Sequence, residues 1–108
     1  MKPGLDLVER VRARLRTVSG VTEKRMFGSI GFLIRGKLAI GARPERIMCR
    51  VPPTSSARLL EKGHCRAVVM RGRTMKGYVH VDAANVATAR SLERWIALVL
   101  EHNRSLTN

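Results

Sequence analysis

Residues Lys24 to Gly41 read KRMFGSIGFLIRGKLAIG. Two apolar runs meet at Arg35-Gly36, and the tetrapeptide Arg25-Met26-Phe27-Gly28 opens the first of them. Branched and aromatic residues on both sides of a short Gly-containing turn are a hairpin signal. The pattern predicts one strand over residues 25 to 34 and a second over 37 to 42. A third, from Arg46 to Val51, follows the turn Ala42-Arg43-Pro44-Glu45 and completes an antiparallel meander.

N-terminal to this meander, Asp6 and Glu9 read as a capping-box variant. Val8, Val11, Leu15 and Val18 then recur at spacings of three and four, which predicts a helix ending at Ser19-Gly20. Arg10 and Arg14 fall on one flank of that stripe and Arg12 and Arg16 on the other, where their stems cover apolar surface and their charges reach water. C-terminal to it, Pro52-Pro53 ends the third strand because proline donates nothing to a ladder. Thr54 or Ser55 is placed to cap a short helix through Lys62 that stops at Gly63. His64 to Met70 and Met75 to Asp82 read as a second hairpin around Arg71-Gly72-Arg73-Thr74. After Asp82-Ala83-Ala84-Asn85, Leu92, Trp95, Ile96, Val99 and Leu100 form a one-sided helical stripe. The expected fold class is α+β, a two-layer sandwich in the order α-β3-α-β2-α with an antiparallel sheet.

A chain of 108 residues with no internal repeat or linker is read as a single domain over 1-108, its core about 5-101. Lys plus Arg number 21 against 8 Asp plus Glu, a formal net charge of +13 spread over both halves. Such a charge attracts polyanions, so nucleic acid, an acidic protein or an anionic membrane surface is a physically reasonable partner. Most of the cations are Arg, which an Arg-rich coding background also produces. The aromatics are Phe27, Phe32, Tyr78 and Trp95. Each falls on a core-like pattern, which argues against a stacking platform for single strands. Cys49 and Cys65 form no metal or redox motif and are expected to be buried free thiols. No leader-like apolar segment or membrane-spanning run is present in the sequence, so a cytoplasmic protein without membrane contact is expected.

Four features together resemble the N-terminal domain of the TfoX/Sxy family. They are Arg25-Met26-Phe27-Gly28, the turn Gly36-Lys37, the run Gly72-Arg73-Thr74-Met75-Lys76-Gly77 leading into a strand, and the terminal helix bearing Trp95. The resemblance spans roughly residues 5 to 101. It implies the α-β3-α-β2-α fold also found in secretion-chaperone-like proteins. It further implies a link to natural competence, where founding members act as transcription coregulators with a cyclic-AMP receptor protein. Founding members carry a second, helical C-terminal domain, for which residues 102 to 108 leave no space. The family supplies no catalytic residues to carry over.

No constellation of residues announces a reaction, so no catalytic, cofactor-binding or metal site is expected. His64 and Cys65 are adjacent in a strand and point to opposite faces, which opposes a thiol-imidazole pair. His64, His80 and His102 lack metal-ligand spacing. Gly28-Ser29-Ile30-Gly31 lacks the strand-to-helix context and Lys of a phosphate loop, and its glycines are read as structural. The candidate contacts for a polyanion or partner are the cations at the hairpin turns: Arg35 and Lys37 at the first, Arg71, Arg73 and Lys76 at the second. No helix-turn-helix or finger pattern suggests base-specific reading. The expected function is a non-enzymatic regulatory or protein-interaction domain without a cofactor. The alternative is low-specificity nucleic-acid binding through the basic surface. A homodimer through the sheet edge or the terminal helix, with Leu98 beside its stripe, is a further expectation.

Overall fold

The computed structural model describes the backbone of residues 3–26 and 28–106, with side chains from Leu7 onward except that of Met26. Phe27, expected in the core, lies outside the described residues. Helix α1 (Pro3–Leu15) leads into strands β1 (Val21–Met26), β2 (Ser29–Ile34), β3 (Lys37–Ala42) and β4 (Arg46–Arg50). Helix α2 (Pro53–Glu61) crosses to β5 (Arg66–Met70), which turns into β6 (Arg73–Asp82). A 3-10 turn (Ala83–Val86) then precedes helix α3 (Ala89–Ser105). The six strands form one antiparallel sheet in the order β1-β2-β3-β4-β6-β5.

The α+β class agrees with the sequence, but the order expected from it omits a strand. Residues 25 and 26 end β1 and residues 29 to 34 are the whole of β2, so four strands precede α2. The strand went unseen because Thr22, Glu23, Lys24 and Arg25 are exposed polar residues on a sheet edge with no apolar alternation. Asp6 lies within α1, which begins earlier at Pro3, a residue suited to a first turn because it has no N–H to satisfy. The helix ends at Leu15, and Val18 closes a turn by donating its N–H to the Leu15 carbonyl at 3.0 Å. Neither Thr54 nor Ser55 caps α2. Pro52 holds the cap position with Pro53 in the first turn. The stop at Gly63 is as expected, with its N–H bonded to the Leu60 carbonyl at 3.1 Å.

Alternation assigns the two sheet faces. On one face Phe32, Ile40, Cys49, Val79 and Ala67 lie opposite one another across β2, β3, β4, β6 and β5. The line Ile30, Ala42, Ile47 and Val81 runs beside it. A register shift between Phe32 and Leu33 lets Ala39 and Ile40 both enter the core. The helices fill this face. Leu7, Val11 and Leu15 of α1 and Leu92, Ile96 and Val99 of α3 are buried in the same cluster, against which Leu59 and Leu60 of α2 pack. The expected stripe of α3 is therefore the one it buries, with Trp95, Leu98 and Leu100 at its half-buried margin.

The flanking arginines of α1 act as ties. Arg10 donates to the Thr88 carbonyl at 3.2 Å and Arg14 pairs with Glu93 at 2.7 Å, both at α3. Arg12 lies on the opposite flank and holds Glu23 of β1 through two bonds of 2.8 and 2.9 Å while also pairing with Glu9. These contacts raise the Arg12 pKa further above its already high value, with Glu23 the larger cause, and hold the Glu23 carboxyl below the usual carboxylate range.

Candidate docking groove on the uncovered sheet face

The other face of the sheet carries the alternate residues: Arg46, Met48 and Arg50 on β4, with Tyr78 and His80 on β6. All five are half-buried. Gly31 opposes Gly41, which in turn opposes Met48, so the centre of this face has little side-chain bulk on β2 and β3. A half-open groove of about 410 Å³ results. Leu38, Gly41, Met48, Val68 and Tyr78 line it, and no residue of a described helix does. Val68 is buried without belonging to the helix-covered core.

One wall of the groove is the β5–β6 hairpin. The register jumps from Ala67↔Val79 to Val69↔Thr74, which re-aims the tip. Gly77 makes the bend possible. Its φ is +87°, and a Cβ there would sit 3.3 Å from both the Val51 carbonyl oxygen and Cγ of Pro53. The bent hairpin presents Val69 at 60% exposure, Met70 at 58% and Met75 at 37%, all three lining the groove.

The end of the groove at the start of β4 is cationic. Arg43, Arg46 and His80 line it, and Arg66 lies opposite His80 in the register. Asp82 binds Arg66 through contacts of 2.5 and 3.2 Å, and this hydrogen bond holds its carboxyl below the usual range. The charge of Arg46 acts on the same carboxylate. Burial, and then the charges of Arg46, Arg66 and Arg43, push the His80 imidazole below its ordinary value against a smaller opposing effect of Asp82. Its Nδ1 is buried and has no hydrogen-bond partner among the described residues. Toward the other end, the Arg50 guanidinium lies 5.7 Å from the Tyr78 ring centre.

Tyr78 thus belongs to the uncovered face and not to the core expected for it, whereas Phe32 is fully core. Cys49 and Cys65 are buried free thiols as expected, and burial is the main reason their pKa values are raised. Cys65 Sγ donates to the Leu59 carbonyl at 3.4 Å. The histidines are dispersed. His64 borders a second open cavity of about 440 Å³ between α2 and α3, with Asn85 and Trp95 also on its lining, His80 lies in the groove, and His102 is in the last turns of α3. Among the described residues no group of three or more His, Cys, Asp or Glu could hold a metal ion.

The five hairpin cations singled out from the sequence lie elsewhere. Arg35-Gly36 and Arg71-Gly72 are two-residue turns with φ of 55° and 80°, and of 52° and 77°. Strand directions place both turns at the same end of the sheet, about three strand spacings or ~14 Å apart laterally. Arg35, Arg71, Arg73 and Lys76 are exposed and Lys37 is half-buried. None of them lines the groove. Sequence reasoning missed Arg43, Arg46 and Met48, although the alternation Arg46-Met48-Arg50 against Ile47-Cys49 marks an outward-facing strand edge with an apolar residue at its centre.

A six-stranded antiparallel sheet with helices packed on one face and an apolar groove with a cationic end on the other defines a small α+β domain. The chain belongs to the TfoX N-terminal domain family, whose profile matches residues 13–103. That family is a non-catalytic one. Neither a curated protein nor a solved structure matches the chain significantly. Among the described residues no helix is long and apolar enough to cross a membrane.

Proposed function

We propose that this chain is a cytoplasmic, non-enzymatic regulatory domain that works by docking another protein on the uncovered face of a two-layer α+β sandwich. The observation that carries the reading is the groove wall: Val69, Met70 and Met75 hold apolar side chains in water beside an apolar floor. Contiguous exposed apolar surface of this kind, rimmed by charge, is the mark of an interaction site. Methionine adapts its shape to a partner and is over-represented at such surfaces. Membership of the TfoX N-terminal family supports a partner from the transcription machinery, in the manner of the competence coregulators. A photo-crosslinking residue placed at position 70, with Glu101 on exposed α3 as the control position, tests this in the cells that make the protein. The expected result is one protein adduct, a transcription regulator, from position 70 only. Absence of an adduct, or equal adducts from both positions, contradicts the reading.

A second reading, low-specificity nucleic-acid binding, is favoured by the turns. Both hairpins carry Arg in a left-handed conformation that Asn or Gly adopts more easily, with Lys37, Arg73 and Lys76 nearby. Titration into labelled duplex DNA of two unrelated sequences at about 50 and 200 mM salt separates the two readings. Phosphate contacts give binding to both duplexes that weakens steeply with salt and is lost when Arg71, Arg73 and Lys76 become Ala.

A further inference from the structure

We propose that the occupant of the groove is an acidic amphipathic helix, two to three turns long, contributed by a partner protein. This rests on the docking reading above and specifies the chemistry of what docks. The floor at Leu38, Met48 and Tyr78 and the exposed wall at Met70 require an apolar stripe. The cationic end requires carboxylates. Arg43 and Arg46 line it, Arg66 stands beside it holding Asp82, and cations outnumber carboxylates there as they do in the whole chain. An incoming Glu or Asp there meets net positive potential, as it does over the whole +13 surface.

The form of the segment follows from the sheet. Strand addition at β5 is opposed by the register break between Ala67 and Val69, which interrupts the ladder within a strand of five residues. A helix laid across the face instead supplies the layer that an antiparallel sheet otherwise leaves to solvent. From β3 to β5 the groove crosses three strand spacings, ~14 Å, which a helix rising 1.5 Å per residue covers in about ten residues. A second copy of this chain does not meet the requirement. Two +13 surfaces would bring Arg43 and Arg46 of each copy toward the same cationic rim.

The test uses the full chain, isotope-labelled, and three synthetic peptides of about 14 residues. One has Leu at i, i+3, i+4 and i+7 with Glu elsewhere, the second is a scramble of identical composition, and the third replaces Glu by Lys. The expected result is binding of the first peptide alone, with resonance shifts at Met48, Met70 and Tyr78. Affinity should fall about tenfold or more in Met70→Glu and in Arg46→Glu, each checked by its melting curve. Gly41→Phe fills the groove without adding charge and should block binding as well. Equal binding of the scramble, binding of the Lys peptide, shifts confined to another face, or no binding of any peptide each overturns the proposal. If the adduct from position 70 maps to a neutral or basic segment, this inference fails while the docking reading stands. If position 70 yields no adduct, the docking reading itself fails.

Discussion

The side-chain amide of Asn103, buried on α3, donates to the main-chain oxygen of Ile34 at 3.3 Å and joins the end of the last helix to the end of β2. The two residues are 69 positions apart in the chain. Ile34 pairs with Lys37 across the two-residue turn, and the buried amide adds a second donor to its carbonyl oxygen, which has two lone pairs. Replacing Asn103 by Leu removes the donor and leaves the Ile34 carbonyl buried. The expected loss is about 0.5–1.5 kcal/mol, measured by urea unfolding. An unchanged midpoint would mean that the carbonyl finds another donor.

Gly77 is the second stability determinant. Gly77→Ala must hold an L side chain at positive φ while its Cβ presses on the Val51 carbonyl oxygen and Pro53. The cost expected is about 1–3 kcal/mol. Because the bend at Gly77 aims the hairpin wall, the resonances of Val69 and Met75 should move in any Gly77→Ala protein that still folds. Loss of stability without movement there would separate the bend from the wall.

At the β5–β6 turn the reverse holds. Arg71 has φ 52°, so Arg71→Gly relieves a left-handed residue and should raise stability by up to about 1 kcal/mol. Gly loses more chain entropy on folding, which makes Arg71→Asn the cleaner variant. A fall in melting temperature for both variants would show that the arginine side chain contributes contacts that outweigh its backbone strain.

Acid should destabilise the protein in two stages. Burial holds His80 and His102 below their ordinary value near 6.5, reinforced by Arg46, Arg66 and Arg43 at His80 and by Arg50 at His102. Above that value both folded and unfolded chains carry neutral imidazoles and the histidines contribute nothing. As pH falls through it the unfolded chain takes up protons first, so stability declines. Asp82 and Glu23, whose carboxyls are lowered by Arg66 and Arg12, add stability that is lost at lower pH, as they are protonated. Melting temperature should therefore drop between about pH 7.5 and 5.5, and less steeply in His80→Gln. A flat profile in the wild type contradicts the assignment.

Neither thiol should react with a disulfide reagent in the native state. Burial disfavours the thiolate at both, most strongly at Cys49, which is fully buried. Labelling is expected only after denaturant is added. Rapid labelling of Cys65 in buffer would mean that α2 lifts from the sheet.

The helix-covered half of the fold was legible because its periodicities are strong. Val8, Val11 and Leu15, and Leu92, Ile96 and Val99, repeat at helical spacing, and the strands from Ile30 to Cys49 alternate or run apolar. What could not be read was set by tertiary contacts. Strand β1 is a polar edge held to α1 by the Arg12–Glu23 pair, a contact between residues eleven positions apart with no local signature. The family motif was seen and Gly72 was placed in its turn, but the bend at Gly77 was not read. The groove draws one or two residues from each of several strands. Met48 and Tyr78 become neighbours of the hairpin wall only once β6 lies between β4 and β5. The turn cations were visible because turns are local, whereas Arg43 and Arg46 acquire their setting from His80 and Asp82 far along the chain.

The position of β6 also dictates an order of assembly during synthesis. The four-stranded meander can close as soon as Arg50 has left the ribosome, but its β4 edge, with Ile47 and Cys49, then waits for a strand that begins at Arg73. Helix α2 and β5 emerge in the interval, and β5 has no neighbour to pair with until β6 arrives. The nascent chain therefore passes through a stage in which the β4 edge and the whole of β5 are unpaired, and the hairpin that later builds the groove wall completes the sheet.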